Sequence, residues 1–240
     1  EYDAWIRVKD CRVKLVRAGH IPGSAQIVVK TPDKTILYTG DVNFVDTKLM
    51  RRADDVLDRV DVAIVESTYG ASKHPDRAKL EKEFIGKVEE VISRGGRVLV
   101  PSFAVGRSQE ILCILEDADL ECEVYLDGMA RRVSRILERY GEDLRDIRLY
   151  RRAIRSAEWI GGKRDRKKAL RKAGVIVSPA GMLKGGPSVF YARRIASDTN
   201  SAIILVSYQV EGTPGRVLLE EKRLFVEGSE VPVKAEVAMY

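Results

Sequence analysis

The chain has 240 residues, 45% hydrophobic and 32% charged, which suffices for one large or two small domains with a buried core and argues against disorder. Its formal net charge of +6 is only mildly basic, and no apolar run is long enough to cross a bilayer as a helix. The opening E-Y-D-A-W-I-R has no basic-then-apolar leader pattern, so a cytoplasmic protein without a membrane partner is expected.

Short runs rich in Val and Ile come first: Val13–Arg17, Gln26–Lys30, Thr35–Tyr38 and Val62–Val65, with Pro32-Asp33-Lys34 as a turn between the second and third. This predicts a sheet with few helices up to about Gly70. From Asp76 to Arg94 the texture changes. Leu80, Phe84, Val88, Val91 and Ile92 fall at helical spacing, and Gly95-Gly96 closes the segment.

Four near-continuous apolar runs follow, over 98–103, 124–127, 175–179 and 203–208, and the first three lead into predicted helices at 107–115, 131–140 and 188–196. Apolar strands alternating with helices imply a mainly parallel sheet covered on both faces. The segments 223–226 and 231–240, separated by Gly228-Ser229, are predicted to pair as a hairpin. Two domains are expected, 1–70 and 71–240. Cys11, Cys113 and Cys122 form no C-x-x-C pair and are expected to be buried free thiols.

Three side chains able to do chemistry sit where an apolar run gives way to a Gly-rich turn: His20 in A-G-H-I-P-G-S-A, Asp41 in Y-T-G-D and Glu66 in E-S-T-Y-G. Loops at the carboxyl ends of strands are where such folds build sites. A neutral imidazole and a carboxylate suit a zinc ion. Taken singly, a lone His is more often structural, and Asp41 can simply close an Asx-turn. Glu66 would be costly to bury without a partner. From Arg145 to Lys172 the chain is dense in Arg and Lys, which fits either contact with a phosphate backbone or a solvated helix face.

These strings resemble the β-CASP branch of the metallo-β-lactamase superfamily, which includes cleavage and polyadenylation specificity factor nucleases and ribonuclease J. A-G-H-I-P-G-S-A at 18–25 and Y-T-G-D at 38–41 resemble its third and fourth metal motifs, and E-S-T-Y-G at 66–70 its first β-CASP motif. P-S-F-A-V-G-R-S-Q-E at 101–110, S-P-A-G-M-L at 178–183 and V-E-G-T-P-G-R at 210–216 resemble its inserted domain. The resemblance implies an α/β protein: part of an αββα sandwich over 1–70, then a β-CASP domain over 71–240.

It also implies a zinc-dependent ribonuclease of RNA 3′-end processing or decay, acting on single-stranded RNA as a homodimer or in a larger complex. His20 would be a ligand of one of two zinc ions, Asp41 the carboxylate bridging both, and Glu66 a carboxylate hydrogen-bonded to a catalytic His. Ser102, Arg107, Ser178, Gly181, Met182, Gly212 and Thr213 would line the RNA clamp. The family's H-x-H-x-D-H signature and its last two β-CASP motifs have no counterpart here, and His74 matches neither. The expectation is therefore a fragment with little activity alone. The competing readings are a catalytically silent RNA-binding or scaffold relative, and a hydrolase of another phosphodiester or ester.

Overall fold

The computed structural model describes residues 1–226 and 228–240. The first sheet consists of β1 (Trp5–Val8), β2 (Cys11–Arg17), β3 (Ala25–Lys30), β4 (Thr35–Tyr38) and β5 (Val62–Ile64), which lie side by side in chain order. The first four are antiparallel neighbours, whereas β5 runs parallel to β4. The carboxyl ends of β2, β4 and β5 therefore share one edge of the sheet. Among the described residues no helix occurs between Glu1 and His74.

The chain then forms α1 (Arg77–Ser93), β6 (Arg97–Pro101), α2 (Arg107–Asp117), β7 (Glu123–Leu126), α3 (Met129–Arg139), α4 (Ile147–Ser156) and β8 (Glu158–Trp159). It continues with α5 (Lys163–Ala169), β9 (Gly174–Ser178), α6 (Gly186–Ile195), β10 (Ala202–Leu205), α7 (Pro214–Glu221), β11 (Leu224–Val226), β12 (Ser229–Val231) and β13 (Glu236–Met239). Asp76 caps α1 by accepting the Lys79 N–H at 2.8 Å, and Phe84, Val88 and Val91 form its buried stripe. The second sheet has the order β13-β10-β6-β9-β7-β8 with every pairing parallel. Every residue of β9 and β10 is buried, as expected when helices cover both faces.

Two compact units result, one of 1–74 with 141–146, the other of 75–140 with 147–240. Residues 141–146 lie within the segment assigned to the second domain from sequence, yet belong to the first unit. There Met50 and Leu144 form a bridge and the Arg145 N–H donates to the Leu49 carbonyl at 2.8 Å.

The expected terminal hairpin is corrected. Val226 pairs with Ser229, so the hairpin is only β11 with β12, and β13 instead lies parallel to β10 at the edge of the large sheet. Pro232 explains the break, because it has no N–H to continue the ladder beyond Val231. Ala235 and Val237 then pack into the core of the second unit. All three cysteines are free, but only Cys113 is buried, Cys11 and Cys122 being half-buried.

Candidate active site

The strand directions of the first sheet bring His20, Asp41 and Glu66 to one edge, on the loops that follow β2, β4 and β5. The His20 Nε2 and Asp41 Oδ2 atoms are 3.8 Å apart, with side chains 44% and 70% exposed. The His20 loop is shaped by Ser24, whose Oγ accepts the N–H groups of His20 and Ile21, each at 3.2 Å. Gly19 has φ of +70° and lies against backbone so closely that a Cβ would sit 2.5 Å from Ala53 N and 2.7 Å from the Asn43 carbonyl oxygen. The Asn43 N–H donates to Ala18 O at 2.9 Å and the Ala53 N–H to Asn43 O at 2.7 Å, so 43–53 buttresses the loop.

Glu66 is committed to the backbone. Its Oε1 accepts the Val42 N–H and its Oε2 the Thr68 N–H, both at 3.1 Å, while its own N–H donates to Thr39 Oγ1 at 3.3 Å. The carboxyl group is held below the usual range, first by the Val42 N–H, then by Thr68, with the nearby His20 adding a smaller effect. Glu66 thereby ties the Asp41-Val42 turn to the end of β5. His74 packs its ring on Tyr69, centroids 4.5 Å apart.

An imidazole nitrogen facing a carboxylate oxygen is a chemically suitable part of a zinc donor set. Among the described residues no group of three or more His, Cys, Asp or Glu side chains is gathered as a metal site requires. The pair supplies two donors, where a catalytic zinc commonly takes about three from protein.

In the second unit the clamp candidates occupy the loops after the parallel strands. Ser102 is fully buried, its Oγ 2.8 Å from that of Ser108, and its N–H donates to Ser178 O at 3.0 Å. Ser178 is also buried, donating to Pro179 O at 3.3 Å. Gly181 is buried against Ser102 and Phe103 backbone. The half-buried Met182 accepts the Gly215 N–H at 3.0 Å, joining the 179–185 loop to the start of α7. Thr213, buried, caps α7 by accepting the Arg216 N–H at 3.3 Å and donates to Val210 O, while Gly212 stays exposed. Thus Ser102, Ser178 and Thr213 shape these loops with their side chains turned inward. Arg107, at the first turn of α2, lines a shallow groove with Arg77, Phe84 and Tyr240.

One cluster at this end escaped the sequence reading. Asp127, 1% exposed at the end of β7, receives Arg166 Nε at 2.6 Å and the Tyr191 hydroxyl at 2.9 Å. Arg166 is raised above its usual pKa chiefly by that Asp127 bond, and burial raises Tyr191 as well. The available signal was a carboxylate closing the apolar run Val-Tyr-Leu-Asp, the same signal that singled out Glu66.

Residues 108–218 match the Beta-Casp domain. Probable RNase MJ4 of Methanocaldococcus jannaschii is 42% identical over 239 residues, covering 97% of this chain and 56% of that protein. The chain belongs to the β-CASP family. RNase aCSPSF2 of Saccharolobus solfataricus is likewise 42% identical over 220 residues, covering 91% of this chain and 45% of the relative. Transcription termination factor FttA of Pyrococcus horikoshii is 36% identical over 227 residues, covering 86% and 35% respectively. The chain spans about half the length of the first two of these relatives. The matched β-CASP region runs from the start of α2 into α7. It includes β7, β9 and β10 and the loops that hold Ser178, Gly181, Met182, Gly212 and Thr213.

Proposed function

We propose that the parent protein is a zinc-dependent ribonuclease of RNA 3′-end processing or decay, acting on single-stranded RNA in the cytoplasm as a homodimer or within a processing complex. The observation that carries this reading is the His20–Asp41 pair at 3.8 Å, presented to solvent at the edge where Glu66 also lies. His20 and Asp41 would hold metal, Asp41 as the carboxylate shared between two ions, with further donors from parts of the parent outside these 240 residues. Bound zinc supplies an acidified water and offsets negative charge on phosphoryl oxygens.

The chain's own residues do the positioning. Glu66 fixes the backbone of the Asp41-Val42 turn through the Val42 N–H, so the turn that carries the carboxylate is formed before any ligand arrives. Gly19 and the Asn43 buttress do the same for His20. The loops after β6, β9 and β10 would receive the RNA backbone, with the Arg107 guanidinium as a phosphate partner. Relatives whose printed names are RNase support the nuclease reading over a silent scaffold.

In the full-length parent, Asp41→Ala should abolish RNA cleavage while leaving RNA affinity nearly unchanged, and chelation should reproduce the loss in the unmodified protein. Undiminished cleavage by Asp41→Ala would overturn the metal assignment. Loss of RNA binding as well, without loss of cleavage of prebound RNA, would move Asp41 from the metal to the clamp.

A further inference from the structure

The Arg-rich segment singled out in the sequence folds largely into α4 and α5; on α5 Arg166 pairs with Asp127 and Lys168 with Glu158, whereas α4 together with α3 carries a different kind of face. On α1 the solvated face is neutralised locally: Arg77 pairs with Glu81 at 2.7 Å, Lys79 with Glu83 at 3.8 Å and Arg94 with Glu90 at 3.0 Å. On α3 and α4 the exposed Arg132, Arg139, Arg151 and Arg155 have no ion pair among the described residues. Arg132, Arg135 and Arg139 follow at spacings of three and four, as do Arg151 and Arg155 at four, and like charges so placed destabilise a helix.

The two helices are neighbours. Tyr150 on α4 donates its hydroxyl to Ser134 O on α3 at 2.8 Å, and the Arg135 guanidinium lies 5.0 Å from the Trp159 ring beyond α4. The buried side of α4 is Leu149, Tyr150, Ala153 and Ile154, and Arg151 and Arg155 lie outside that stripe. Tyr140, 61% exposed, ends α3 beside Arg139. A self-repelling cationic face with an open aromatic ring matches a polyanion carrying stackable bases. Moreover, α3 begins at the loop after β7, at the end of the sheet where the clamp loops lie, and from Arg132 to Arg139 it carries its arginines about 10 Å further along the helix.

We infer that the α3–α4 face is a second RNA-binding track, which takes the phosphate backbone of RNA extending beyond the clamp loops. This rests on the ribonuclease reading above and adds a site to it. The track acts on long RNA only, since a short oligonucleotide is held by the clamp loops alone.

The test uses the full-length parent with Arg132→Gln/Arg151→Gln/Arg155→Gln, and oligouridylate either long enough to overhang the clamp or too short to leave it. For the long RNA, the plot of log affinity against log salt should become shallower by about 2, at about 0.7 per lost single-strand contact. Its affinity at low salt should fall by about tenfold or more, while the short RNA stays within about twofold. Lys79→Gln/Lys82→Gln on α1 should change neither slope. An unchanged slope on long RNA, as an acidic protein occupant would give, overturns the track. Equal losses on long and short RNA also overturn it, because the arginines would then act through the clamp. If the unmodified parent bound no short RNA, the ribonuclease reading itself would fail, which is a separate result from an unchanged slope in the triple variant.

Discussion

Gly19 and Gly23 sit four residues apart in the same loop, and the structure separates two effects that glycine substitution usually mixes. Both have positive φ, +70° and +83°, so a Cβ at either carries the left-handed backbone penalty of about 1–2 kcal/mol. Gly23 has nothing within 4 Å of an added Cβ, and that penalty should be its whole cost. At Gly19 the Cβ meets Ala53 N at 2.5 Å, and Arg52 C and Asn43 O at 2.7 Å, all backbone atoms that can yield only by moving the buttress. Moving it breaks Asn43 N–H to Ala18 O and Ala53 N–H to Asn43 O, each worth about 1 kcal/mol. Gly19→Ala should therefore cost about 3–4 kcal/mol and Gly23→Ala about 1–2, a difference of about 2 kcal/mol. Hydrogen exchange on the full-length parent reads this directly, as lost protection in peptides covering 18–24 and 43–53. Equal protection in the two variants would refute the steric argument.

Other consequences follow from named contacts. Glu66→Gln replaces an acceptor oxygen with an NH2 group facing a backbone N–H, and should lower local stability by about 1.5–3 kcal/mol. One of the Val42 and Thr68 amides should lose exchange protection and cleavage by the parent should fall with RNA affinity unchanged; full protection of both would remove Glu66 as the tie. Arg107→Ala should weaken RNA binding and reduce the salt slope by about 0.7, and an unchanged slope would take Arg107 out of the clamp. Burial pushes Asp198 up, but bonds from Ser201, the Asn200 N–H and Arg97 outweigh it and leave its pKa below the usual value. Its contribution to stability is then fully present above the ordinary Asp value of about 3.9 and lost as pH falls through the lowered one. Urea melts should show wild type ahead of Asp198→Asn at neutral pH, with the gap closing in acid; a gap that persists at low pH would contradict this.

What was legible in the chain depended on whether one dimension carried the relevant physics. The run Gly174–Ser178 is buried on both faces, and an unbroken apolar strand says so without any partner being known. The helix at Ile147–Ser156 was foreseen only as one reading of a charge run and without bounds, because Leu149, Tyr150, Ala153 and Ile154 are set among arginines. Its apolar stripe has the helical period, so the period was the better guide than the charge. The site divides in the same way. His20 and Asp41 project from turns at strand ends and are exposed, as their Gly-rich settings suggest. Ser102, Ser178 and Thr213 have equally suggestive positions, yet each faces a neighbouring loop or turn and hydrogen-bonds there. A strand end has an inner and an outer side, and which side a polar residue takes depends on loops far away in the chain. Asp127 makes the point most sharply. It looks like Glu66 in sequence, a carboxylate closing an apolar strand, and both turn out to be ties between elements, one bonded to backbone N–H groups and the other to Arg166 and Tyr191. Glu66 and Asp127 thus hold loops in place, whereas Asp41, solvent-open and facing the His20 imidazole, has coordination capacity to spare.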